Sequence, residues 1–223
     1  EAAPEGGGVP EGGQFTVYLQ PKIDMRSGAL CGAEALARWV REDGTVMSPG
    51  QFVEEMERSG TIRELDLFVL NRTLAILDKW REDGLGIVPI SVNFSRLTLF
   101  SPSALASVLA IQSRYPQIPP DTLELEVTEG AVHVEASKFQ GVIDRFREHG
   151  IRLSLDDFGS QYANISVFAN VRFDTVKLDR SLIAKLAGNA INQMLVRDIV
   201  RICQTNGMRC IAEGVETAAQ IAA

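Results

Sequence analysis

From Phe15 onward the chain alternates short β-rich runs with stretches of helical periodicity. A chain that keeps returning from helix to strand within one domain has few stable solutions. It packs helices against a mostly parallel sheet, which is either open and doubly wound or closed into a barrel. Strands are expected at Thr16–Gln20, Gly32–Leu36, Ile87–Asn93, Leu123–Thr128, Ile151–Asp156, Asp174–Lys177 and Arg209–Glu213. The first two are separated by a turn around Arg26–Gly28 with no room for a helix, so they are expected to pair antiparallel. An open doubly wound sheet should carry a Gly-rich phosphate loop after its first strand, and this chain has none. A barrel fits the pattern better.

Helix starts and stops support the same layout. Ser48, Pro49, Gly50 and Gln51 read as a capping box with Pro at the first helical position, opening a helix over Pro49–Arg58. Thr61 to Glu64 reads as a second box, opening a long helix through Leu65, Phe68, Val69, Ala75 and Trp80. Phe139, Val142, Ile143 and Phe146 keep helical spacing until Gly150, and Ile191, Leu195, Ile199 and Ile202 do so until Asn206 and Gly207. Residues 1–13 are rich in Gly, Pro and Glu without apolar periodicity, and read as a linker or expression remnant ahead of a barrel over 14–223.

Of the 223 residues 45% are hydrophobic, enough for one sizeable core. A net charge of −7 argues against polymeric nucleic acid as a partner, because such binding needs a broad basic surface. A small anionic ligand stays open if metal ions supply the local positive charge. No apolar run approaches the ~20 residues needed to span a bilayer. The three cysteines, Cys31, Cys203 and Cys210, read as reduced, buried thiols, and a cytoplasmic location is expected.

The informative feature is where the polar residues fall. Glu34, Asn93, Glu126, Asp156, Lys177 and Glu213 each sit at or near the carboxyl end of an expected strand, the face on which barrels build their sites. Glu34, Glu126, Asp156, Asp157 and Glu213 could not all stay ionised together without compensation, and Lys177 supplies one positive charge. An oxygen-rich set suits Mg²⁺ or Mn²⁺, and adjacent Asp156 and Asp157 can serve two ions. His133 and His149 lie away from the cluster, which argues against zinc. Two hard cations suit in-line displacement at phosphorus. The cluster by itself leaves a metal-dependent phosphohydrolase and an enolising barrel enzyme both open.

At Glu34-Ala35-Leu36, followed by Arg38 and Trp39, the sequence resembles the EAL domain family of cyclic di-GMP phosphodiesterases. The likeness runs from Leu19-Gln20-Pro21 to Ala212-Glu213-Gly214-Val215-Glu216-Thr217. Between them stand Ser91-Val92-Asn93, Glu124 to Glu129, Leu155-Asp156-Asp157-Phe158-Gly159 and Val176 to Ser181. The resemblance implies a modified TIM (β/α)8-type barrel that opens cyclic di-GMP to linear pGpG with two Mg²⁺ or Mn²⁺ ions. It implies Glu34, Asn93, Glu126 and Asp156 as ligands of one ion, with Asp156 bridging and Asp157 completing the second. It further implies Lys177 orienting the attacking water, Glu213 in the water network, and Arg38 on a phosphate. Gln20 and Leu36 would line the nucleotide site, and Glu129 would anchor the loop after Asp157. A homodimer and a fused upstream sensory or cyclase module are also implied. The alternative is an EAL-like receptor that binds cyclic di-GMP without cleaving it. Two departures from the family pattern stand out: Gln161 replaces a glycine in the loop after Asp157, and the chain stops at Ala223 before an expected final strand and helix.

Overall fold

The computed structural model describes residues 13–128, 136–160 and 171–222, which belong to two compact units, Glu1–Leu123 and Glu124–Ala223. Residues 1–12, Glu129, His133 and Gln161 lie outside the described residues.

The first unit is built on a hairpin of β1 (Gly13–Ile23) and β2 (Leu30–Arg41), paired antiparallel as expected. Asp24 holds the turn, its carboxylate accepting the backbone N–H groups of Arg26 and Ser27. Both strands run well beyond the segments expected. Each satisfies the other's backbone groups along its whole length, and a short β3 (Val46–Met47) adds to the far end of β2. Glu34 therefore lies inside β2 and not near its carboxyl end. The hairpin also corrects the expectation for Cys31, which is exposed at its edge, whereas Cys203 in the second unit is buried as expected.

β4 (Ile90–Asn93) pairs parallel with β2, so a crossover must join them. It is made by α1 (Val53–Ser59) and α2 (Ile62–Glu82). The expected helix over Pro49–Arg58 is divided in two. A 3-10 turn over Pro49–Gln51 gives way at Phe52, whose side chain is buried with its ring 5.4 Å from that of Phe15. The expected box forms at Ser48 and Gln51, with the Ser48 backbone N–H donating to Gln51 Oε1 at 3.0 Å. The Thr61 box does not form. Gly60 closes α1 at φ 79°, Thr61 is already helical, and its hydroxyl pairs with that of Ser59 at 2.9 Å. α2 nonetheless starts at Ile62 and buries Ile62, Leu65, Val69, Leu70, Leu74 and Leu77, a stripe of three- and four-residue steps.

After β4 come α3 (Arg96–Leu99) and α4 (Ala104–Gln112), neither of them foreseen. α3 is a single turn, and the apolar residues of α4 surround its axis, so no period marks it. Arg63 of α2 bonds the hydroxyls of Ser101, Ser103 and Ser107 at 2.7 to 3.2 Å, stapling this connection to the helix.

The second unit has β5 (Leu123–Thr128), α5 (Ala136–Arg147), β6 (Arg152–Phe158), β7 (Thr175–Leu178), α6 (Arg180–Ala184), α7 (Ala190–Thr205), β8 (Arg209–Ala212) and α8 (Ala218–Ala222). Strands β5 to β8 pair parallel in chain order. Leu125, Val127, Leu153, Leu155 and Val176 alternate with Glu124, Glu126, Ser154, Asp156 and Lys177, yet all ten are buried. Parallel strands are covered on both faces, and here one covered face is polar. α5 packs against β6 and buries Phe139, Val142, Ile143 and Phe146, the residues of its expected stripe.

Candidate metal and phosphate-ester site

Alternation along β2 puts Glu34, Leu36 and Arg38 on one face. The antiparallel register sets Gln20 opposite Glu34 and Tyr18 opposite Leu36. The parallel register pairs Glu34 with Ser91, so Asn93 emerges two residues further on, at the end of β4. Its Nδ2 donates to Glu34 Oε1 at 3.0 Å. With its nitrogen committed to a carboxylate, the carboxamide has a carbonyl oxygen to offer a cation. The Arg38 guanidinium lies 5.5 Å from the centroid of the Tyr18 ring, and its Nη1 donates to the Ala37 carbonyl at 2.8 Å. Tyr18 and Lys22 had not been picked out from the sequence. Lys22 donates to Ser91 Oγ at 2.6 Å. Positions 18, 20 and 22 are one face of β1, so the period-2 rule applied outward from Gln20 would have found both.

In the second unit everything turns on Lys177. It is 2% exposed, and its ammonium lies 2.9 Å from Glu126, 2.9 Å from Asp156 and 2.8 Å from Glu213. Three donors meet three carboxylates, each of which brings a second oxygen. Glu213 follows β8 directly and is held by its backbone N–H, which donates to the Leu178 carbonyl at 3.0 Å.

Asp156 and Asp157 should point to opposite faces of a regular strand. They do not, because β6 carries a bulge: Leu155 pairs with Val176 and Phe158 with Leu178, three steps along one strand against two along the other. Leu155 and Phe158 are both fully buried on the apolar side. Asp157 absorbs the irregularity at φ 55°, the only non-glycine described in the left-handed region. As a result, oxygens of Asp156, Asp157 and Glu213 come within 4.8 Å of one another. Gly159, at φ 93°, ends the bulge where a Cβ would stand 2.4 Å from the Leu182 side chain.

The electrostatics follow from this crowding. Burial pushes the Asp156 carboxyl up to about 6, with Lys177 pulling it down and Glu126 and Glu213 adding to the rise. Asp157 is also raised, first by burial and then by the charge of Asp179. Asp179, beside Arg180, caps α6 by accepting the Ser181 N–H at 2.9 Å. Four carboxylates around one ammonium leave an excess of negative charge in a desolvated place. The donors are all oxygens, a set that suits a hard divalent cation better than zinc or copper. His149 takes no part, its Nδ1 lying 2.9 Å from the Arg145 carbonyl. The residues present therefore fit Mg²⁺ or Mn²⁺.

Clusters of carboxylate oxygens at parallel strands of an α/β fold are a set that could hold divalent cations. The EAL domain family model matches residues 8–223, and the chain belongs to that family. It is 32% identical over 210 residues to cyclic di-GMP phosphodiesterase PA2567 of Pseudomonas aeruginosa, covering 94% of this chain and 35% of that protein. It is 30% identical over 207 residues to the bifunctional diguanylate cyclase/cyclic di-GMP phosphodiesterase MucR of the same organism, covering 93% and 30%. The chain thus spans about a third of these relatives. Among solved structures, the PaMucR phosphodiesterase in complex with c-di-GMP superposes with a TM-score of 0.85 at 30% identity, over 94% of this chain and 84% of that one. The EAL domain of Mycobacterium smegmatis DcpA gives 0.73 at 26% identity, over 92% and 82%. The fold is the TIM-like α/β fold of EAL domains, with the antiparallel first strand expected.

Proposed function

We propose that this domain hydrolyses cyclic di-GMP to linear pGpG with two Mg²⁺ or Mn²⁺ ions, as part of bacterial second-messenger signalling. The observation that carries the reading is the bulge at Asp156 and Asp157, which turns two consecutive carboxylates to the same side, beside Glu213 and the buried Lys177. A regular strand would not do this, and a purely structural role would not need it. Membership of a family whose named relatives include cyclic di-GMP phosphodiesterases supports the substrate.

Glu34, Asn93, Glu126 and Asp156 would hold one ion, with Asp156 shared and Asp157 serving the second. Bound there, divalent ions would lower the pKa of water and offset charge on the phosphoryl oxygens. Lys177 fixes the direction of Glu126, Asp156 and Glu213, and would orient an attacking water by exchanging one of these contacts for it. Glu213, less buried than the other two, would sit in that water's network and could take its proton. Arg38, its guanidinium 5.5 Å from the Tyr18 ring centroid, would hold a phosphate, and Gln20 and Leu36 would line the nucleotide. Glu129 as loop anchor, a homodimer, an upstream sensory or cyclase module and a cytoplasmic location are proposed from the family resemblance.

The test is incubation with cyclic di-GMP and Mg²⁺ or Mn²⁺, with and without EDTA, following linear product by chromatography. Product should form only with metal, and Glu34→Ala should lower the rate at least about a hundredfold, since it removes a ligand from a centre worth several kcal/mol. Tight binding of the nucleotide with no product in Mn²⁺ would overturn the hydrolytic reading in favour of the receptor.

A further inference from the structure

Asp66 is buried in α2 at 6% exposure, and no acidic motif of the proposed chemistry includes it. Among the described residues its hydrogen bonds come from neutral donors. Its Oδ2 accepts the Ser95 backbone N–H at 2.9 Å, and the nearby hydroxyls of Ser95 and Thr98, which pair with each other at 2.9 Å, favour its charged form. A helix that needed only packing would carry a leucine there, as it does at Leu65, Leu70, Leu74 and Leu77. A buried carboxylate is retained at a cost, so its single backbone partner is informative.

That partner lies two residues after Asn93. Ser95 is the N-cap of α3, its Oγ accepting the Thr98 N–H at 3.1 Å, and Phe94 between them is buried at 3%. Asn93 ends β4, where the ladder no longer holds the chain. Its carboxamide is thus held on one side by Glu34, while the chain leaving it is pinned two residues on, where the Ser95 N–H donates to Asp66. We propose that Asp66 is a positioning residue for Asn93, setting the direction in which the Asn93 carbonyl oxygen meets a divalent cation. The inference rests on the reading of Asn93 as a metal ligand.

Mn²⁺ binding read from loss of the free-ion EPR signal tests this without turnover, with thermal unfolding and cyclic di-GMP hydrolysis alongside. Asp66→Ala removes the acceptor and should raise the half-saturating Mn²⁺ concentration about tenfold or more, the usual effect of losing an outer partner of a ligand. Asp66→Asn keeps an acceptor of the same reach for the Ser95 N–H and should stay within about threefold of the parent, since the orienting bond survives. Arg63→Met loosens the same connection at Ser101 to Ser107. It should lower the melting temperature without moving the Mn²⁺ curve. If Asp66→Ala does not fold, Asp66→Glu, which displaces the carboxylate by one methylene, takes its place and should weaken Mn²⁺ binding. A parent that binds Mn²⁺ while the displaced or truncated variant binds it equally well overturns the proposal. A parent with no Mn²⁺ binding and no hydrolysis overturns the functional reading on which it stands.

Discussion

Asp66 and Asp156 are both buried carboxylates, and burial pushes each up to about 6. Their surroundings are opposites. Asp66 sits among a backbone N–H and two hydroxyls, with Glu57 a weak unfavourable charge. Asp156 shares one ammonium with Glu126 and Glu213 and has Asp157 beside it. Equal displacement therefore does not mean equal role. A lone carboxylate among neutral donors is a completed arrangement. Several carboxylates around one cation still lack positive charge, and that deficit marks a site.

The sharpest way to break the contrast is at Lys177. Replacing it by Met leaves the buried Glu126 and Asp156 and the half-buried Glu213 without their ammonium, which should cost about 3–5 kcal/mol in metal-free buffer at pH 7, as removal of one partner from a buried ion pair does. The loss, measured by denaturant unfolding, should shrink at pH 5, where Asp156 takes up a proton. Unchanged stability would mean the cluster is already neutral and the contrast false.

Asp66 should respond in the opposite sense. Its proton is held more tightly folded than unfolded, so folding favours the protonated form. Its penalty is full above about pH 6 and disappears as pH falls towards 4. Asp66→Asn should therefore raise stability at pH 7 by up to about 2–3 kcal/mol, a two-unit shift at 1.36 kcal/mol each, and leave it unchanged at pH 4. Denaturation curves of the two proteins across this range give the answer, and a loss at pH 7 would show the charge to be needed.

Divalent metal should separate the pair directly. Saturating Mg²⁺ or Mn²⁺ supplies the positive charge that the Asp156 cluster lacks, and by linkage should remove its share of the decline in stability between pH 5 and 7. The share owed to Asp66 should persist. If metal flattens both, or neither, the two regions are not distinct.

The smallest effect is expected at the bulge. Asp157→Gly relieves a left-handed backbone at a non-glycine residue, and should raise stability by no more than about 1 kcal/mol while abolishing hydrolysis. Retained hydrolysis would show that Asp157 is present for backbone reasons alone.

Much of this molecule was legible before any coordinates. The strand at Leu123–Thr128 is legible to the residue, and Leu65, Phe139 and Cys203 are buried as the sequence implies, because side-chain periodicity is a local property. Element ends were less legible where tertiary pairing decided them. β2 continues to Arg41 because β1 and β3 lie beside it, and the Pro49 helix breaks where Phe52 turns to bury its ring.

The sequence by itself determined which residue types the strands would carry, and raised the expectation that Glu34, Asn93, Glu126, Asp156, Asp157, Lys177 and Glu213 serve one chemistry. It could not say that Asp156 and Asp157 share a side, since alternation says the reverse. It could not say that Lys177 would meet three carboxylates at once, or that Asp66, far from any motif, would hold the loop behind Asn93. Those facts depend on register and on a bulge of one residue. Register is decided by how strands satisfy each other's backbone groups while burying their apolar faces, a condition on the whole sheet that no local stretch of sequence contains.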